Sequence, residues 1–188
     1  GVIHQSPTLA PSMVNSYWPR PQIKAVARRT DLGRRTSLRR RSVLWPAWEW
    51  THSPGLKYWT GSYDIRLSKE LASYSRDLML TPWYQERWGH QFKFKKTAEE
   101  WYTNDQGGHR LSTSPESSGT GVHGHRIIID DGVSAGDAGA VTMAMLERAN
   151  LWYSETMSGR GLPGYAEVIV MQRLHERDLA AHAMAFGE

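Results

Sequence analysis

The sequence predicts a layered α/β domain on a largely parallel sheet, and three observations carry that prediction. Short β-branched or aromatic runs stand at Lys57–Tyr63, Arg126–Ile129 and Ala166–Met171, with helical patterns between and after them. The runs at 126–129 and 166–171 are apolar on consecutive residues, as in strands covered on both faces. The remaining β signal, around 92–114, has the alternation and central glycines of a hairpin.

Taken in order, Ser42–Trp50 has the apolar spacing of a helix or a buried element, with Pro46 placed for its first turn. Ser53-Pro-Gly55 is a turn, and Lys57–Tyr63 reads as a strand. Asp64 or Ser68 can cap the next helix, about 65–80, whose stripe is Leu67, Leu71, Tyr74, Leu78 and Met79. Thr81-Pro82 ends it, and Trp83–Trp88 reads as a short helical turn. Phe92–Lys95 alternates as a strand. Glu99–Thr103 is expected to pair with Arg110–Ser114 across a turn at 104–108. After the strand at 126–129, a helical pattern runs over 138–157 with Ala140, Met143, Leu146, Ala149 and Trp152 in phase. Gly159–Gly164 reads as a loop, 166–171 as a buried strand and 178–186 as a closing helix.

The chain has 188 residues, enough for one domain plus a tail, and no cysteine, which excludes disulfide scaffolds and thiolate metal sites. Mean hydropathy is −0.58. No apolar run approaches a membrane span, and the start has no secretory pattern. The first residue is not Met, so the chain reads as a fragment. Charge is segregated. Residues 1–42 carry nine Lys/Arg against Asp31 alone, while the rest is mildly acidic. Four prolines and no apolar period make 1–42 an irregular basic segment. It reads either as a nucleic-acid-binding arm or as a solvated or artefactual stretch.

The chemistry concentrates at two strand ends. Ile127-Ile-Ile-Asp130-Asp131 has the form of a Walker B strand. The first acid at such an end can hold Mg²⁺ and the second can polarise a water. The same letters also describe a strand ending in a solvated turn. Gln172 and Arg173 follow the next buried strand, where they can touch a phosphate or a water, or make a surface ion pair. His175 and Asp178 can fix that loop by hydrogen bonds or cap the last helix. His123-x-His125 is a weak metal pair without an evident third ligand. The tryptophans at 45, 48 and 50 read as packing, and Lys93, Lys95 and Lys96 as the solvent face of a strand.

From Val43 to Glu188 the chain resembles the ATPase domain of the phage terminase large subunit, the DNA-packaging motor. The matching pieces, in order, are Tyr58–Tyr63 with Leu71-Ala72, Trp83-Tyr-Gln85, Trp101-Tyr-Thr103, Gly107-Gly-His-Arg110 and Gly119-Thr-Gly121. Ile127–Asp131, Trp152-Tyr153, Arg160 and Gln172-Arg173-x-His175-x-x-Asp178 complete the set. The resemblance implies a P-loop NTPase-like core of the ASCE/RecA type with an irregular N-terminal segment. It implies ATP and Mg²⁺ as cofactors, Asp130 as the metal residue, and Asp131 and Arg173 as catalytic residues. Gln172 and His175 would lie on the nucleotide side. The implied partners are double-stranded DNA, the procapsid portal, the terminase small subunit and further copies in a ring. The implied place is the host cytoplasm during phage assembly, with no membrane.

One departure stands out. No Gly-Lys-Ser/Thr phosphate loop exists anywhere in the chain. The domain division is therefore 1–42, out of frame or disordered, and 43–188, a partial terminase-like ATPase core that ends before any nuclease module. Two alternatives stay open: a non-catalytic DNA-binding protein using the basic arm, and another ASCE-type translocase.

Overall fold

The computed structural model describes residues 23–28, 40–117, 121–134 and 141–185, with the backbone alone at 23–28, 40 and 41. Seven strands among these residues form one sheet: β1 Ile23–Arg28, β2 Lys57–Gly61, β3 Phe94–Thr97, β4 Trp101–Asn104, β5 His109–Thr113, β6 Gly124–Asp130 and β7 Gly161–Met171. Their spatial order is β1-β7-β6-β2-β5-β4-β3. The pairs from β1 through β5 are parallel, and β5-β4 and β4-β3 are antiparallel. The helices are α1 Trp45–Glu49, entered through a wide π turn at Arg40–Leu44, α2 Ile65–Leu80, α3 Pro82–Trp88, α4 Met143–Trp152 and α5 Leu179–Ala185.

Alternation along β6 explains the two layers of core. Ile127 and Ile129 face one cluster with Trp59, Leu146, Ala149, Trp152, Ile169 and Leu179. Ile128, between them, faces the other with Trp50, Tyr58, Met79, Tyr84, Phe92 and Tyr102. An apolar run without polar interruption is therefore the text of a strand with helices on both sides. Each fully buried isoleucine contributes about 1.5–3 kcal/mol.

Local signals set the helix ends. Asp64 caps α2, its carboxylate accepting from the Arg66 N–H at 2.8 Å. Thr81 ends α2 in extended geometry and caps α3, because Pro82 disfavours helical backbone at the residue before it. Along α2, Leu71 and Met79 are buried while Tyr74 lies at the exposed edge of the stripe. The hairpin of β4 and β5 forms as expected. Gly107 has φ +81° in its turn, and Asn104 Oδ1 accepts from the Gln106 and Gly108 N–H groups.

Four expectations are corrected. Residues 23–28 are not irregular. They form β1, which hydrogen-bonds along β7 and so satisfies a strand edge that would otherwise be bare. The other residues of 1–39 lie outside the described residues. Gly161–Gly164 is not loop but the start of β7, where backbone pairing of Gly161 with Gly124 and a positive φ at Gly164 replace an apolar pattern. The helix expected over 138–157 is α4 at 143–152 followed by a π turn at 153–157, and 138–140 lie outside the described residues. The strand expected at 92–95 is shifted to 94–97, because Phe92 is drawn into the aromatic core against Trp50.

Candidate functional site

The carboxyl ends of the parallel strands all open on one side, where ligands of open α/β sheets bind. Asp130 is the last residue of β6 and is 3% exposed. Asp131 turns away in the left-handed region at φ 47°, where a non-glycine residue is uncommon. Two backbone bonds hold it there. Its N–H donates to Val170 O at 2.8 Å, and its carbonyl accepts from the Tyr63 N–H at 2.9 Å. The second acid is thus fixed between the ends of β7 and β2. Beside it, at the ends of β2 and β5, lies a cleft of about 450 Å³ bordered by Tyr63, Arg66, Ser114 and Glu116.

Ser42 faces Asp130. Its hydroxyl donates to Asp130 Oδ2 at 3.4 Å, from the π turn that opens into α1. Sequence reasoning did not single it out. The available signal was a hydroxyl residue after Arg40-Arg41, directly before the apolar run that becomes α1. The short α1 and the turn before it are gripped from three elements besides: Ser75 of α2 donates to Val43 O in the turn at 2.9 Å, Tyr84 of α3 donates to Ala47 O at 2.8 Å, and Arg126 of β6 pairs with Glu49 at 2.7 Å.

The segment after β7 is also ordered by its own side chains. The Asp178 side chain is fully buried and accepts from the N–H groups of Leu174, His175 and Ala181. Arg173 donates to the same carboxylate through Nε at 2.9 Å and to His175 O at 3.3 Å. His175 Nδ1 accepts from the Arg177 N–H at 3.0 Å, and Gln172 is exposed at the strand end. The structure therefore brings Asp130 and Ser42 together, holds Asp131 at the next position between the ends of β7 and β2, and puts Gln172 just past β7, the neighbour of β6. Arg173 and His175 serve the Asp178 loop.

His123 and His125 lie at the opposite, amino end of the sheet. His125 Nδ1 accepts from the Lys57 N–H at 3.1 Å, near His109. Among the described residues no group of three or more His, Cys, Asp or Glu could hold a metal ion. Burial, then Lys57 and His125, push His109 down to about 4. Because the folded state keeps this imidazole neutral, its contribution is complete above pH ~6.5 and lost as pH falls towards about 4. Urea midpoints measured between pH 7.5 and 4.5 should fall less steeply in His109→Gln than in the wild type.

Fold and site together define a mixed α/β protein whose sheet is mostly parallel, with flanking helices and a buried acid at a central strand end. Among solved structures it is similar to the large terminase of bacteriophage HK97, with TM-score 0.51 and 15% identity. The match covers 94% of this chain and 36% of that one, so the chain spans about a third of that protein's length. At this identity the likeness is one of fold. No family model matches the chain, and no curated protein matches it either. Among the described residues no helix is long and apolar enough to cross a membrane.

Proposed function

We propose that the chain is the ATPase core of a phage DNA-packaging terminase large subunit, impaired in its phosphate-binding loop. The observation that carries this reading is the Ser42 hydroxyl facing the Asp130 carboxylate at the open end of the sheet. The strand order supports a P-loop, ASCE-type assignment. β1 and β6, which carries the acids, run parallel towards the same crevice with β7 between them.

The donor set fits magnesium, a hard cation that keeps waters and takes only one or two carboxylates beside phosphate oxygens. Asp130 and Ser42 are the residues that would hold it. Bound there, it would neutralise charge developing on the phosphates of ATP. Asp131, held in its left-handed turn, would accept a hydrogen bond from the attacking water and orient it. Gln172 would reach the same space from β7. In this conformation Arg173 holds the loop through Asp178 and His175 O, and a phosphate would be met by its remaining donors or after its release from Asp178. Partners proposed with this reading are double-stranded DNA, the portal, the small subunit and neighbouring copies in a ring, in the host cytoplasm.

The residue before Ser42 is Arg41 where a phosphate loop has lysine. An arginine fork is bulkier and does not substitute conservatively for a point charge. The expected result is weak, Mg²⁺-dependent binding of a fluorescent ATP analogue, lost in Asp130→Asn, with turnover near background. Turnover that Asp131→Ala abolishes would show the impairment to be wrong. No nucleotide binding, together with DNA binding whose salt dependence vanishes when residues 1–42 are removed, would favour the basic-arm reading.

A further inference from the structure

Arg110 lies in β5 and is 1% exposed, one of the largest fully buried side chains of the protein. A guanidinium is rarely placed in a core, because removing its hydration is expensive unless each donor is met. Its hydrogen-bond partners here are neutral. Nη1 donates to Ser42 O at 2.6 Å, and Nε donates to Thr60 Oγ1 at 3.4 Å. The Thr60 hydroxyl donates in turn to Leu111 O at 3.2 Å, so its oxygen is turned to accept. Nη2 makes no hydrogen bond among the described residues.

The destination of the short bond is what matters. Ser42 is held by its main-chain oxygen to a buried cation and by its hydroxyl to a buried carboxylate, Asp130. It sits in a π turn, whose backbone bonding is less regular than that of an α-helix. Two anchors on opposite groups of one residue fix the direction of its side chain. We propose that Arg110 is a positioning residue that aims the Ser42 hydroxyl at Asp130. The inference rests on the Ser42–Asp130 pair being the cation end of the proposed site. The planar fork of arginine suits this role, because it reaches the carbonyl while lying along the sheet against Thr60. A lysine would keep the charge and lose the second contact.

Two measurements on the full chain separate this inference from the functional reading. The first is a cycle of urea midpoints for Arg110→Met, Asp130→Asn and the double variant, repeated with Ser42→Ala. If Arg110 acts through Ser42, the two shifts are smaller together than their sum when Ser42 is present, and they add when it is alanine. Additive shifts with Ser42 present, or equal non-additivity in both backgrounds, would overturn the proposal. If Arg110→Met does not fold, Arg110→Lys takes its place in the cycle.

The second measurement is the affinity for a fluorescent ATP analogue with Mg²⁺ and with EDTA. Arg110→Met is expected to weaken the Mg²⁺-dependent binding about tenfold and leave the EDTA value unchanged, with Arg110→Lys intermediate. Equal losses under both conditions would mark a merely structural role and overturn the proposal. Absence of any binding by the wild type would defeat the functional reading, while the midpoint cycle still decides the role of Arg110.

Discussion

Glu49→Ala is expected to cost about 3 kcal/mol of stability, the lower end of the range for breaking a buried ion pair. Glu49 ends α1 and is 7% exposed. Its carboxylate accepts two bonds from Arg126 Nε at 3.0 Å and one from Nη2 at 2.7 Å, and also accepts from the Tyr58 hydroxyl. Burial, and then that bond to Glu49, drive the Tyr58 hydroxyl well above its usual range, so it remains a donor. Removing the acid strands the guanidinium and the phenol together. Arg126 retains some access to solvent, with 19% of its side chain exposed, and this is why the lower end applies. The melting temperature should fall by about 6–12 °C. A double variant, Glu49→Leu with Arg126→Met, should recover most of the loss, since no charge is then left unpaired. A loss below about 1 kcal/mol in the single variant would show that the network contributes little.

Asp178→Ala is expected to cost about 3 kcal/mol or more, because the carboxylate is both a helix cap and a buried ion-pair partner. Three N–H groups and the Arg173 guanidinium lose their acceptor at once. Asp178→Asn keeps one acceptor oxygen and should lose about half as much. The pH dependence has a definite sign. Burial alone would raise the Asp178 pKa, but the N–H groups of Ala181 and Leu174, Arg173 and the His175 N–H together hold it below the usual carboxylate range. A depressed carboxylate contributes stability that is complete above pH ~4 and lost as pH falls through its folded pKa. Urea midpoints at pH 7, 5 and 3 should therefore drop more steeply at the acid end for the wild type than for Asp178→Asn. Equal slopes would count against the charged form of Asp178 holding the loop.

Much of the scaffold was legible because it depends on near neighbours. The bounds 65–80 for α2 followed from Asp64, the apolar stripe and Pro82, all local signals. The hairpin followed from Gly107 and Gly108, and the closing helix from Asp178, the residue that caps it. β1 and the first residues of β7 were not legible. A strand recognised by its partner's edge needs no apolar alternation of its own, and Gly161–Gly164 carry none. The acids at 130 and 131 could be read as a strand end facing a crevice, because a run of isoleucines followed by Asp-Asp is a local pattern. For Ser42 the local hint was a hydroxyl after two arginines, but its contacts with Arg110 and Asp130 could not be read, since nothing within a few residues reports a partner 68 or 88 positions away.

The sequence by itself determined the class of the fold, the order of most elements and the position of the two acids. Periodicity, caps and turn residues act over a few residues and are written where they act. Only the tertiary structure decided that β1 completes the sheet, that the turn before α1 delivers a hydroxyl to Asp130, and that Arg173 and Asp178 close on each other. Those outcomes depend on which strand edges meet and which buried donors find acceptors, and such pairings are settled by the packing of the whole chain.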